Sequence, residues 1–258
     1  MRINKGVDEN AEIQSLAISS SKVLLVPYEK RHVETYHEWM NSKEIQEATA
    51  SESLTLNEEY LMQESWRHDH DKLTFVICRP PSTHIKKVVA GTHDATHLLL
   101  GDVNLFLFAA QQHDNCCIGE LELMVAPLEA RRHGYGRAAI LCFLYYIQTH
   151  LDQLMTEYCG SKNSDSKTMH LLYLRVKIHS ENINSIKLFE SIGFHRVSDT
   201  ADFFGEFEFK LENCTEPETT RLLEKFGIEA YTKLSYVEEV HTGEFNDEQK
   251  NRDSIISC

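Results

Sequence analysis

The chain has 258 residues, 41% of them apolar, which suffices for one buried core of roughly 150–200 residues plus extensions. Asp and Glu number 40 against 26 Lys and Arg; the formal charge of −14 argues against a nucleic-acid or anionic-membrane partner and fits an amine-bearing one. No apolar run approaches the roughly 18 residues that span a membrane, Met1-Arg2-Ile3-Asn4 lacks the apolar core of a leader, and the seven cysteines have no C-x-x-C spacing, so they read as reduced thiols of a cytoplasmic protein.

In chain order, residues 1–21 are polar, end in Ser19-Ser20-Ser21 and are expected as a flexible tail. Lys22 to Pro27 reads as a short strand, and Glu29 to Asn41 as a helix with Val33, Tyr36, His37 and Met40 on one face. The acidic first turn at Asn57-Glu58-Glu59 opens a helix that reaches about Trp66. Leu73 to Cys78 is a second strand, Arg79 to His97 a long connector, Leu98 to Phe108 a third strand and Ile118 to Val125 a fourth. In the fourth, Leu121, Leu123 and Val125 alternate with Glu120, Glu122 and Met124, the period of a half-buried strand. Pro127 ends it. Arg131-Arg132-His133-Gly134-Tyr135-Gly136 then leads into an apolar helix, Ala138 to Ile147.

Residues 159–168, CGSKNSDSKT, form an expected flexible insertion before a fifth strand, Leu171 to Ile178. A helix follows, with Asn182 as N-cap, Ile186, Phe189 and Ile192 on its apolar face and Gly193 just past its end. Alternation of Phe203, Gly205, Phe207 and Phe209 suggests a final strand. Residues 212–258 carry eleven acidic and five basic residues and read as an acidic extension with a helix at about 218–226 and disorder beyond. The expected organisation is a tail at 1–21, one domain at 22–211 and the extension at 212–258. The element order β-α-α-β-β-β-α-β-α-β gives a mixed α/β fold, antiparallel in its N-terminal half, with a parallel crossing at the central helix.

Glycines at a helix start let the backbone approach a ligand, and the free N–H groups and positive dipole end there favour phosphate oxygens. Gly134-Tyr135-Gly136-Arg137-Ala138-Ala139 satisfies the dinucleotide pattern G-x-G-x-x-G/A. Seven residues, Pro127 to His133, nevertheless separate it from the strand, and no βαβ units precede residue 119. A P-loop is excluded because no Gly-Lys-Ser/Thr follows. The remaining match, R-x-x-G-x-G/A over Arg131 to Gly136, resembles motif A of the GNAT acyltransferase superfamily. A second string, Asn182-Ile183-Asn184-Ser185-Ile186-Lys187-Leu188-Phe189 with Gly193-Phe194, is similar to that superfamily's later Asn-x-x-Ala/Ser-x-x-Leu-Tyr/Phe…Gly-Phe helix. The resemblance covers Lys22 to Leu211. Tyr36-His37-Glu38-Trp39-Met40 and Gly101-Asp102-Val103-Asn104-Leu105-Phe106-Leu107, among other strings, resemble the N-acetyltransferase-9-like subfamily.

That resemblance implies the GNAT fold, with a splayed parallel pair of strands at an acetyl-CoA site. It implies acetyl-CoA as co-substrate, met by Leu123, Met124 and Val125 on the strand and by Arg131, Arg132, His133, Gly134, Tyr135, Gly136 and Arg137 at the turn. Asn182, Ser185 and Phe189 would flank it on the later helix. The implied activity is acetylation of protein N-terminal α-amines, with tubulin and microtubules as partners. Amine acetylation needs a base, and Glu120 and Glu122, sharing one strand face, are the candidates. A backbone N–H near Met124 to Val125 would meet the oxyanion.

Phe189 stands where many relatives place a Tyr that protonates the leaving thiolate, and a Phe cannot donate. That departure keeps open a catalytically weak acetyl-CoA-binding, microtubule-interacting module; a small-molecule amine acetyltransferase is a third, separate reading. No metal is expected, because His68-x-His70 does not share a helix face and His93-x-x-x-His97 lacks a third ligand. Cys116-Cys117 as nucleophile would need a partnered His, which direct transfer does not require. Lys177, facing the cleft, reads as a solvated strand residue.

Overall fold

The structure is a computed structural model that describes residues 5–7, 13–111, 113–160 and 169–238. Its strands are β1 (Lys5–Val7), β2 (Ile13–Ser19), β3 (Leu24–Pro27), β4 (Lys72–Cys78), β5 (Val88–Val89), β6 (Leu99–Ala109), β7 (Cys116–Val125), β8 (His170–His179), β9 (His195–Arg196), β10 (Glu206–Leu211) and β11 (Thr232–Val237). Its helices are α1 (Val33–Met40), α2 (Lys43–Thr49), α3 (Leu56–His68), α4 (Tyr135–Thr149), α5 (Leu151–Gly160), α6 (Ile183–Ser191) and α7 (Glu216–Lys225). Among the described residues, no helix is long and apolar enough to cross a membrane.

The strands form one mixed sheet in the order β5-β11-β2-β3-β4-β6-β7-β8-β10-β9, with β1 on β2. Pairing is antiparallel from β2 through β7, parallel between β7 and β8, and antiparallel again from β8 to β10. The parallel step needs a long crossover, and α4 and α5 supply it. On one sheet face Leu105, Leu121, Leu174 and Val176 pack with Ala139, Phe143 and Ile147 of α4. On the other, Leu24, Val26 and Val76 pack with Tyr36 and Met40 of α1.

Local chemistry fixes the helix starts. The Thr55 hydroxyl accepts from the Glu58 N–H while the Glu58 carboxylate accepts from the Thr55 N–H, a capping box that begins α3. The Thr215 hydroxyl accepts from the Glu218 N–H at α7.

Several expectations are corrected. Ile13 to Ser19 lies within the expected tail, yet it is a strand between β3 and β11, with Ala17 and Ile18 fully buried. The extension past residue 212 carries α7, and then β11 where disorder was expected. β11 was obscured because both of its partners, β2 and β5, lie far away in sequence, and β2 because its pairing with β3 is short and its side chains are mostly small or polar. The helix expected over 29–41 divides into a 3-10 turn at Lys30–His32 and α1. The expected final strand begins at Glu206; Phe203 and Phe204 lie exposed in a turn that the Asp202 carboxylate holds by accepting from the Phe204 and Glu206 N–H groups. Of the expected insertion, Cys159 and Gly160 close α5, and 161–168 lie outside the described residues, as do 1–4, 8–12 and 239–258.

Candidate active site

The parallel pair β7–β8 opens. Paired residues run from Cys116 opposite His170 to Glu120 opposite Arg175, and both strands continue beyond without pairing. Alternate residues of a strand point their N–H groups to opposite neighbours. The Ala126 N–H goes to the Leu100 carbonyl on the β6 side, so the N–H groups of Leu123 and Val125 face the gap, whereas that of Met124 faces β6.

At the open end stands the N-terminus of α4. Gly134 sits at φ +87°, a left-handed conformation that costs glycine little and other residues more. A Cβ on Gly136 would lie 3.3 Å from Leu123 and 3.5 Å from Val125, so the bare backbone there sets how near the helix comes to β7. The first α4 hydrogen bond runs from the Ala138 N–H to the Gly134 carbonyl at 3.0 Å. The N–H groups of Tyr135, Gly136 and Arg137 have no acceptor among the described residues and open toward an incoming anion.

The basic side chains divide in use. Arg131 turns back to the strand end, donating to the Val125 carbonyl at 2.9 Å and the Ala126 carbonyl at 3.3 Å and pairing with Glu44, so it ties the turn down. Arg137 leaves the turn and lies over Phe226, 4.5 Å from the ring centroid. Arg132 is exposed and donates to Asn184 at the start of α6. His133 is also exposed, its Nδ1 2.9 Å from the Arg131 carbonyl. Tyr135 receives a hydrogen bond from Arg79 at 3.1 Å. Of the expected cationic side chains, Arg132 and His133 remain outward at the helix start.

A cleft of about 440 Å³ occupies the gap. Glu120, Glu122, Leu123 and Met124 of β7 line it, with Lys177 and His179 of β8, Asn182, Ser185 and Phe189 at α6, and Tyr36 and Trp66 of the helical layer. Asn182 is the cap the sequence suggests, its Oδ1 accepting from the Ser185 N–H at 3.2 Å. Phe189 is 4% exposed and packs edge-on against Phe194, closing one wall with an apolar ring.

The two glutamates differ. Glu120 accepts from Arg175 Nε at 2.7 Å, and Arg175 also reaches Glu208 at 3.4 Å. Glu122 has no hydrogen bond or ion pair among the described residues. Glu122 is exposed at the cleft mouth, with protein walls on its other sides. Desolvation by those walls, with the charges of Asp102, Glu120 and Glu206, pushes its carboxyl up to about 7.

Two groups the sequence reading did not single out complete the floor. Asp102 and Asn104 of β6 both line the cleft, 3% and 2% exposed. Burial pushes the Asp102 carboxyl up to about 7 despite a 2.6 Å hydrogen bond from the Asn104 amide. Their trace was present: two polar residues one strand period apart in the otherwise apolar run Leu98 to Phe108. With Glu206, whose carboxyl burial also raises, the cleft holds four carboxyl groups against Lys177 and His179.

Residues 22–195 match the family model for an acetyltransferase (GNAT) domain. The chain is 35% identical over 222 residues to the N-acetyltransferase 9-like protein of Schizosaccharomyces pombe, covering 77% of this chain and 96% of that protein. It is 35% identical over 213 residues to the human alpha/beta-tubulin-N-acetyltransferase 9, covering 82% and 90%, and 37% identical over 182 residues to the Drosophila melanogaster protein of that name, covering 70% and 79%. Among solved structures, the Vibrio cholerae spermidine N-acetyltransferase in complex with CoA and spermine superposes with a TM-score of 0.54 at 17% identity, over 78% of this chain and 99% of that one. A Bacillus anthracis acetyltransferase of the GNAT family gives 0.52 at 13% identity, over 76% and 98%. These two likenesses concern the fold.

Proposed function

The chain belongs to the GNAT acetyltransferase family, in its N-acetyltransferase-9-like branch, and on that premise we propose that it transfers the acetyl group of acetyl-CoA to the α-amine of a protein N-terminus, with tubulin as the first candidate. The tubulin assignment rests on the names of the human and fly relatives. The observation that carries the chemical reading is Glu122, an unpaired carboxylate whose affinity for a proton is raised, on the strand that borders the gap.

In this reading the free N–H groups of Tyr135 to Arg137, with Arg132 beside them, take the pyrophosphate of acetyl-CoA. The thioester arm enters the gap past Gly136, and its carbonyl oxygen meets the Val125 or Leu123 N–H. Arg131 serves the site by holding the turn. Glu122 removes one proton from the acceptor ammonium, and a group titrating near 7 is matched to that task. The amine attacks the carbonyl carbon, the C–N bond forms and the C–S bond breaks. The thiolate leaves and takes the second amine proton. A CoA thiolate is a tolerable leaving group near neutral pH, so a wall made by Phe189 is compatible with turnover. Glu120, already engaged by Arg175, supports the cleft's negative field.

The test is acetyl transfer from labelled acetyl-CoA to free-N-terminus peptides, tubulin N-termini among them, with Glu122→Gln in parallel. Transfer by the wild type that the variant loses, with acetyl-CoA still bound by both, supports the reading. Wild-type transfer to spermidine but to no peptide favours a small polycationic amine instead, the alternative that the four carboxyl groups of the cleft keep in view.

A further inference from the structure

Asp102 and Asn104 stand two residues apart on β6, hence on one sheet face, and in the antiparallel ladder Asn104 lies opposite Glu122 and Asp102 opposite Met124. The Asn104 amide group is spent on Asp102 Oδ2 at 2.6 Å. The carbonyl Oδ1 of Asn104 is buried and accepts no hydrogen bond among the described residues. Thr74, opposite Asn104 on β4, does not serve it, since the Thr74 hydroxyl also lacks a partner among the described residues. Leaving such an acceptor without a donor is unfavourable in a closed core. Here it borders a cleft open to a ligand.

We infer that Asp102 and Asn104 form the subsite for the acceptor's primary ammonium group, the Asn104 carbonyl and the Asp102 carboxylate each accepting one N–H while the third N–H is directed to Glu122. The inference rests on the acetyltransferase reading above and names residues which that reading does not use. An ammonium carries three donors and no acceptor, and once Asp102 and Glu122 are ionised these three oxygens supply acceptors only. Asp102 thereby has a second effect. Its charge faces Glu122, together with those of Glu120 and Glu206, and opposes loss of the Glu122 proton. From the helical layer Tyr36 and Tyr28 face Asp102, with Glu59, which pairs with His37, acting on both tyrosines, and from β8 Lys177 and His179 border the cleft near Glu206. Proton transfer from the bound ammonium to Glu122 leaves a neutral amine with its lone pair free. Attack on the thioester then releases CoA thiol and one net proton.

The experiment compares the full chain with Asp102→Asn and Asn104→Ala, using an α-tubulin N-terminal peptide and spermidine as acceptors. Acetyl-CoA affinity serves as the fold control and is expected to be unchanged. Each variant is expected to raise the acceptor KM at least tenfold. In Asp102→Asn the acid limb of the kcat/KM profile is expected to move to lower pH, because removing that charge lets Glu122 ionise more easily; a packing defect would not move it. Variants that bind acetyl-CoA and keep both the wild-type KM and the wild-type limb overturn the subsite. If the wild type acetylates spermidine only, the protein-N-terminus reading fails and the same comparison on spermidine still decides the subsite. Calorimetric titration of both acceptors onto the CoA complex needs no turnover: at least tenfold weaker binding by each variant supports the subsite, while equal binding by all three proteins, or none by the wild type, overturns it.

Discussion

At the scale of single residues the site depends on which carboxylates are already engaged. Glu120 has Arg175 at 2.7 Å, whereas Glu122 has no ion-pair partner among the described residues and feels the charges of Asp102, Glu120 and Glu206. General bases contribute about 10²–10⁴-fold, so Glu122→Gln is expected to lower single-turnover acetyl transfer by that order while acetyl-CoA affinity holds. The base must be ionised, so wild-type kcat/KM is expected to rise with pH and level off above about 7. Asp102 makes a separate prediction about stability. Its folded-state pKa is raised from 3.8 to about 7, so between those values the folded chain binds more protons than the unfolded one. Stability therefore falls as pH rises across that window. Asp102→Asn removes the effect: thermal melts should show Tm gained at pH 8 and no gain below pH 3.8.

At the scale of elements, two helix starts and one broken strand pair make the site. The α4 start depends on Gly134 for its left-handed turn and on Gly136 for its nearness to Leu123 and Val125. Gly136→Val places two methyl groups in the space between helix and strand. Acetyl-CoA binding by calorimetry is expected to weaken at least tenfold, with the circular-dichroism spectrum unchanged. The motif was legible as residue types, but the division of labour within it was not. Arg131 and Arg137 read as phosphate cations in sequence, yet one donates to strand-end carbonyls and the other lies over Phe226 of the segment after α7. A side chain's direction depends on acceptors and rings supplied by distant elements, and local spacing carries no record of them.

At the scale of the whole molecule, β2 and β11, more than 200 residues apart in sequence, pair on the same side of the sheet. β11 pairs with β2 and with β5, and Tyr236 donates to Asp94, which also accepts from His32. Burial works against the Asp94 carboxylate, yet the hydrogen bonds from His32 and Tyr236 hold its pKa below the usual value. Hydrogen bonds to charged groups contribute about 1.5–3 kcal/mol, so Tyr236→Phe is expected to lower stability by roughly that amount in urea unfolding above pH 4. Removing residues 231–258 is expected to cost more, because it also bares the β2 edge, and light scattering should detect the resulting association.

What the sequence determined by itself were the elements and motifs whose cause is local: the alternation of β7, the apolar run of α4, the glycine turn, the cap of α6 and the family they imply. Both candidate glutamates and the glycine turn at the start of α4 came from that level. Tertiary structure alone decided which groups share a cavity and which are already paired. Glu122 differs from Glu120 because Arg175 comes from the next strand, and Asn104 has a free carbonyl because Asp102 takes its amide. The place of β11 was decided there too, since a strand whose partners β2 and β5 both lie far along the chain needs no pattern of its own beyond a few small or apolar side chains. Pairing and desolvation arise between segments, and a linear pattern records only what lies within one.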